Sequence, residues 1–301
     1  MSDKRGIEIK DLTKVFGSRT AVDNISLDIK DGEMFALLGI NGAGKTTTIK
    51  MLTALSIPTS GDALLNGYSV VNSPDKVKEI VNVSPQETAV AGNLTVRENL
   101  EFIAGVYDVK DRRRINEIIS EFKFDEIINQ RAKTLSGGWQ RRLSIAMALI
   151  SDPEILFLDE PTLGLDVIAR RELWKIIKGL KGHKTIILTT HYMEEAADAD
   201  YVVILDSGRI VAEGTPLELK NAYTGDFITL YGIDETEASK LGMPYEKLRG
   251  AVRIAVPNTA AATKLITENP QLFTDYEIVK GKMDDVFLAV TGRKLTGGED
   301  K

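Results

Sequence analysis

The chain has 301 residues, 43% of them hydrophobic and 27% charged, which is enough apolar material for one large core or two domains. It contains no cysteine, and this excludes disulfide frameworks, cysteine-type zinc clusters and thiol nucleophiles. A formal net charge of −6 at pH 7, with no long Lys/Arg block, counts against a nucleic-acid partner held by a basic surface.

The opening stretch MSDKRGIEIKDLTKVFG lacks the apolar core of a signal peptide, and no window approaches the ~18 to 20 apolar residues that cross a bilayer, so no direct membrane insertion is expected. IEIKDLTKVF and AVDNISLDI alternate as strands and predict an antiparallel β edge. MFALLG reads as a fully buried strand, followed by a glycine-rich turn and the helix KTTTIKMLTAL. From Thr95 to Ile150 helical patterns replace strand patterns. The run Arg112-Arg113-Arg114 there stands among acidic neighbours and reads as a solvated helix face. EILFLDE, KTIILTT and YVVILDSG are three further apolar strands.

These elements predict an α/β fold over residues 1–220, with an antiparallel β edge and a helical subdomain inserted at about 88–150. Beyond Leu219 the strands FITLYGI, AVRIAVP and DYEIVKG alternate with helical ETEASKLG and NTAAATKLITEN, predicting a small C-terminal α+β domain over 221–296. The closing segment MDDVFLAVTG reads as an amphipathic helix covering that domain's sheet, and residues 297–301 as a disordered tail.

The stretch Gly39-Ile40-Asn41-Gly42-Ala43-Gly44-Lys45-Thr46-Thr47 fits G-x-x-x-x-G-K-[ST] between a buried strand and a helix, the P-loop pattern. Its glycines let backbone N–H groups wrap a polyphosphate at a helix N-terminus. Lys45 is expected at the β- and γ-phosphates, the Thr46 hydroxyl on Mg²⁺ and Thr47 beside the α-phosphate. In ILFLDEPT an apolar strand ends in two adjacent carboxylates, of which Asp159 can hold the metal shell and Glu160 can polarise a water. Gln86 in VNVSPQE and His191 in TIILTTHYMEEA stand at further strand ends, suited to metal or water and to a γ-phosphate respectively. Taken singly, Gln86 reads better as polar loop surface and His191 as a structural histidine, and only the accompanying motifs favour the functional reading. His183 in KGHKT reads as a surface turn.

Before the helical SIAMALI stands LSGGWQRR, residues 135–142. Locally Ser136 is a helix N-cap whose hydroxyl accepts from free backbone N–H groups.

In order and spacing these stretches resemble the ATP-binding subunits of ABC transporters over about residues 7–219. GINGAGKTT is similar to their Walker A loop, VSPQE to the Q-loop, LSGGWQ to the signature motif, LFLDEPT to Walker B, LGLD at 163–166 to the D-loop and TTH to the switch histidine. The resemblance implies a P-loop ATPase that binds ATP and Mg²⁺ and dimerises head to tail. It places Ser136 and the N–H of Gly138 on the γ-phosphate held by a second copy, Asp166 of the D-loop at the nucleotide, Phe16 against the adenine, and Thr46, Gln86 and Asp159 around the metal. Glu160, His191 and Lys45 take the catalytic roles. Ile40 stands where the family often has proline and Trp139 where it often has glutamine; Trp139 is expected to pack on the helical subdomain.

The ending Met283–Gly292, with TTHYMEEAADAD and SGRIVAEGTPLELK, resembles ATPases of ABC-2 type exporters, the group of drug-resistance and nodulation-factor exporters. That resemblance implies an ABC-2 type permease as partner, a homodimer of the ATPase, and a place on the cytoplasmic face of the cell membrane. The alternatives are the ATPase of a methionine-type importer with a regulatory C-terminal domain, and a soluble ABC ATPase. One cassette, no cysteine, no sustained heptad and an acidic balance weigh against the soluble class.

Overall fold

The computed structural model describes residues 6–292, so the tail expected at 297–301 lies outside the described residues. Strands β1 (Ile7–Phe16) and β2 (Arg19–Ile29) form a hairpin, and β3 (Met34–Leu38) leads through the glycine loop into α1 (Lys45–Leu52). Then come β4 (Ser60–Leu65), β5 (Tyr68–Ser69), α2 (Pro74–Ile80) and β6 (Val81–Ser84). Helices α3 (Val96–Val106), α4 (Arg112–Glu121) and α5 (Gly137–Leu149) follow without an intervening strand. Thr95 and Glu98 close a capping box at α3, and the Asp111 carboxylate caps α4. Arg112 and Arg113 are exposed as their polar setting predicts, but Arg114 turns inward and donates to the Leu149 carbonyl at 2.9 Å.

The chain continues through β7 (Ile155–Asp159), α6 (Val167–Gly179), β8 (Thr185–Thr190), α7 (Met193–Ala197), β9 (Tyr201–Asp206), β10 (Arg209–Gly214) and α8 (Pro216–Tyr223). A six-stranded sheet in the order β10-β9-β3-β8-β7-β6 is parallel except for β10, and β2-β1-β4-β5 form the antiparallel edge sheet. Parallel strands are buried on both faces, which is why they read as unbroken apolar runs. Alternate residues go to opposite sides. Ala36, Leu156, Leu158 and Leu188 meet the helical layer, whereas Phe35, Leu37, Phe157 and Ile187 meet α1 and the antiparallel sheet.

The last part contains β11 (Asp226–Tyr231), α9 (Glu235–Ser239), β12 (Tyr245–Leu248), β13 (Ala251–Val256), α10 (Thr259–Glu268), β14 (Tyr276–Lys280) and α11 (Met283–Thr291). Its sheet runs β12-β13-β11-β14 with every neighbouring pair antiparallel, the split β-α-β-β-α-β arrangement. Ile228, Leu230, Ile254 and Val256 build its own small core with Ala262 and Phe273.

One expectation is overturned here. Helix α11 is amphipathic, but it does not cover this sheet. Met283, Val286 and Phe287, at the i, i+3, i+4 spacing of one helix face, are buried in the helical core of the α/β part, against α8, α7 and β10. The apolar stripe of α11 specifies that a neighbour exists, not which one, and the return of the chain at Gly281, whose N–H donates to the Gly225 carbonyl at 3.0 Å, carries it back to α8. A Phe287→Ala variant is therefore expected to lose roughly 3–5 kcal/mol in denaturant titration. Hydrogen exchange should place the lost protection in α7 and α8; loss confined to β11–β14 would contradict this packing.

Candidate functional site

Sheet order brings the site together. Because β3, β8, β7 and β6 are neighbours running the same way, their carboxyl ends lie side by side, and with them the glycine loop, His191, Glu160 and Gln86. A cleft of about 540 Å³ opens there, lined among others by Phe16, Arg19, Lys45, Thr46, Gln86 and Glu160. Ile40, Asn41, Gly42, Gly44 and Thr47 complete the loop side, while Gly39 and Ala43 are buried beneath it. Gly44 has φ +107°, and a Cβ there would lie 2.6 Å from the Ala21 carbonyl oxygen, so only glycine fits. Helix α1 starts at Gly44 with no side-chain cap, which leaves its first N–H groups for an anion.

Lys45 and Glu160 are nearly inaccessible, and each answers the other's charge. Lys45 Nζ donates to the Gly39 carbonyl at 2.6 Å and stands 3.1 Å from Glu160 Oε1. The second oxygen, Oε2, lies 2.7 Å from His191 Nδ1. Burial pushes the Glu160 carboxyl up, yet the His191 hydrogen bond and the Lys45 charge outweigh it and hold the group below the usual glutamate range. An ionised carboxylate only accepts, so Nδ1 donates and Nε2 of a neutral ring is left as an acceptor. Glu160 also has φ +49°, a left-handed conformation uncommon outside glycine, which turns its side chain out of the strand line next to Asp159. Its N–H is fixed by the Thr189 hydroxyl at 2.9 Å.

Asp159 is buried and its Oδ1 accepts from Thr189 Oγ1 at 2.6 Å and from Thr46 Oγ1 at 3.3 Å. Among the described residues no group of three or more His, Cys, Asp or Glu could hold a metal. One carboxylate beside one hydroxyl still suits Mg²⁺, which binds through one or two carboxylates and the phosphates of its substrate rather than in a protein cage.

The signature stretch lies elsewhere. Ser136 occupies the N-cap of α5, but its hydroxyl makes no capping bond, contrary to the local expectation; it is exposed and unspent. Neither Ser136 nor Gly138 lines the cleft of its own chain. A Cβ on Gly138 would come 2.9 Å from Ala169 Cβ on α6, whereas one on Gly137 would meet nothing within 4 Å. Asp166 is likewise outside the cleft lining, its carboxylate capping α6 through the N–H groups of Ile168 and Ala169, each at 2.9 Å. Trp139 packs on Phe124 with ring centroids 6.1 Å apart, as expected of a residue facing the helical subdomain, and the Arg142 guanidinium lies over its ring at 4.4 Å.

Several residues of this region left no mark on the sequence reading. Thr189 sits in an apolar strand, where a threonine looks like any β-branched filler. Glu195 of α7 is buried and accepts from Thr190 Oγ1 at 2.6 Å and from Thr162 Oγ1, and burial pushes its carboxyl up. Arg141 is buried beneath Asp159 and Glu160. A charged residue one turn inside an otherwise buried helix was the only signal for it.

The family model described as ABC transporter matches residues 22–163. Nod factor export ATP-binding protein I of Cupriavidus metallidurans is 35% identical over 304 residues, covering 96% of this chain and 98% of that protein. The daunorubicin/doxorubicin resistance ATP-binding protein DrrA of Streptomyces peucetius is 34% identical, covering 96% and 93%. "Probable multidrug ABC transporter ATP-binding protein YbhF" of Escherichia coli K12 is 41% identical over 225 residues; the match spans 73% of this chain and only 39% of that longer protein. Of solved structures, an ATP-binding subunit of an ABC transporter superposes with a TM-score of 0.65 at 30% identity, covering 72% of this chain and 92% of that one. The dimeric cassette MJ0796, in a post-hydrolysis state bound to ADP and Pi, gives 0.62 at 26%, covering 69% and 98%. Among the described residues no helix is long and apolar enough to cross a membrane. By identity along nearly its whole length to an export ATP-binding protein, the chain belongs to the ABC transporter family, as one of its ATP-binding ATPase subunits.

Proposed function

We propose that two copies of the chain close head to tail around two ATP molecules and, by hydrolysing them, drive an ABC-2 type permease toward export from the cytoplasmic face of the membrane. The observation that carries this reading is a division of labour. One chain assembles Lys45 and Glu160 in its cleft, with His191 bonded to Glu160, yet leaves the Ser136 hydroxyl exposed, uncapped and outside that cleft. A second copy is the natural recipient of such a helix start, and a dimeric cassette is known among the similar structures. Export is favoured over import because the Nod factor and drug-resistance relatives match through the C-terminal part as well.

The chain's residues divide the work as follows. Phe16, 54% exposed at the cleft mouth, offers a ring for the adenine to stack on. The loop Gly39–Thr47 surrounds the phosphates with N–H groups. Lys45, now shared between Glu160 and the Gly39 carbonyl, takes the β- and γ-phosphates as stronger partners, which frees Glu160 Oε1. Thr46 and Asp159, with Gln86, are the residues to hold Mg²⁺, which when bound supplies neutralising charge on the phosphate oxygens. Glu160 then orients a water and receives its proton as the water oxygen bonds to the γ-phosphorus; the bond to the bridging oxygen breaks, and ADP and phosphate leave. His191 keeps Glu160 in place through Nδ1. Ser136 and the Gly138 N–H of the second copy close on the γ-phosphate, with Asp166 beside that interface.

Glu160→Gln is expected to retain ATP binding while turnover falls at least ~100-fold, leaving an ATP-bound dimer on size exclusion; turnover at the parental rate would sink the assignment. Phe16→Ala should weaken ATP binding about tenfold by titration calorimetry with little change in kcat. Mixing a Ser136→Arg chain with a Lys45→Ala chain should leave one composite site broken twice and one intact. Mixed dimers that occlude no nucleotide would count against the head-to-tail arrangement.

A further inference from the structure

We propose that Arg141 is a positioning residue that ties the signature end of α5, which one copy gives to its partner, to the carboxylate strand end and the Gln86 loop, which that copy keeps for its own ATP. The proposal rests on the head-to-tail reading above. Arg141 lies one turn into α5 and is 3% exposed. A guanidinium has five N–H donors in a rigid planar fork. Here five carbonyl oxygens receive them: Nε reaches Pro161 at 2.8 Å, Nη2 reaches Asp159 at 2.7 Å and Glu160 at 3.1 Å, and Nη1 reaches Gln86 at 3.1 Å and also Pro85. One side chain thus spans three consecutive residues at the end of β7 and two consecutive residues after β6.

The partners are as informative as their number. Asp159 and Glu160 offer negative carboxylates close by, and their charge favours the cation, but Arg141 bonds to their main chain instead. It therefore fixes where the two residues stand without occupying the oxygens that metal and water need. Burial lowers the guanidinium to about 10, so it keeps its charge at neutral pH. Helix α5 cannot easily move independently of this grip: it is buried from Arg141 to Leu149, and at Gly138 it touches α6 so closely that a methyl group would clash. When Lys45 changes partner and the strand end shifts, α5 and its exposed Ser136 shift with it. In a head-to-tail dimer this links the two ATP sites, because the same helix serves both.

A single live site tests it. In a mixed dimer of full chains, the closing chain carries Lys45→Ala, so ATP turns over only in the cleft of the holding chain, beneath the closing chain's signature. Arg141→Lys keeps the charge but gathers three donors on one nitrogen and cannot span five carbonyls. Placed in either chain, it is expected to lower kcat at the live site by about ten- to hundredfold while the ATP Kd changes less than about twofold. An effect from the holding chain alone would reduce Arg141 to a local brace and overturn the link. An effect from neither chain, from the closing chain alone, or with Kd weakened in parallel with kcat would overturn the proposal outright. If Arg141→Lys prevents folding, Arg141→Gln, with a planar amide, takes its place under the same criteria. Ser136→Arg is the control: it must stop the live site from the closing chain. Should it act only from the holding chain, the head-to-tail reading fails, whatever Arg141 does.

Discussion

Lys45 and Glu160 have side chains only 6% and 5% exposed, a depth at which an isolated charge of either sign would be neutralised or expelled. Each is tolerable because the other stands 3.1 Å away, with the Gly39 carbonyl and His191 completing the set. That requirement reaches through the fold. It needs the ends of β3 and β7 close together with β8 between them, and a backbone at Glu160 that accepts a left-handed turn. A paired but strained carboxylate is poised rather than spent: in the mechanism we propose, a polyphosphate arriving at the loop competes for the ammonium, and Glu160 is released where water must be held.

Around this pair the protein separates charge from position. The carboxylates of Asp159 and Glu160 stand at the end of β7, while buried donors hold the backbone that carries them. Thr189 supports both Asp159 and the Glu160 N–H, Glu195 gathers Thr162 and Thr190, and Arg141 fastens five carbonyls at once. Such satisfied buried networks are rigid, since any partial rearrangement leaves a polar group unpaired. Rigidity of this kind lets a small displacement at one strand end appear at a helix start some distance away.

The C-terminal part is held in the same spirit by two independent cores. Its four-stranded sheet closes on α9 and α10, whereas α11 leaves it and fills a groove between α7, α8 and β10. The sheet is therefore flanked on both sides in sequence by helices anchored to the ATPase core, α8 before it and α11 after it.

What depends on local pattern is legible along the chain. Unbroken apolar runs gave the buried parallel strands, glycine spacing gave the phosphate loop, and adjacent carboxylates after an apolar strand gave Asp159 and Glu160. Matters of partner and direction are settled by the folded chain. An amphipathic stripe such as Met283, Val286 and Phe287 says that a helix is covered, but the covering surface lies some 70 residues back in the chain at α8. A serine at a helix start is a cap in every local sense, yet Ser136 leaves its own N–H groups alone. Arg141 and Glu195 look like ordinary polar residues in helices until folding surrounds them with carbonyls and hydroxyls from strand ends and loops. Local periodicity is set by bonds between near neighbours and is written along the chain, whereas the pairing of a buried donor with its acceptor depends on sheet order and helix docking, which the whole chain sets together.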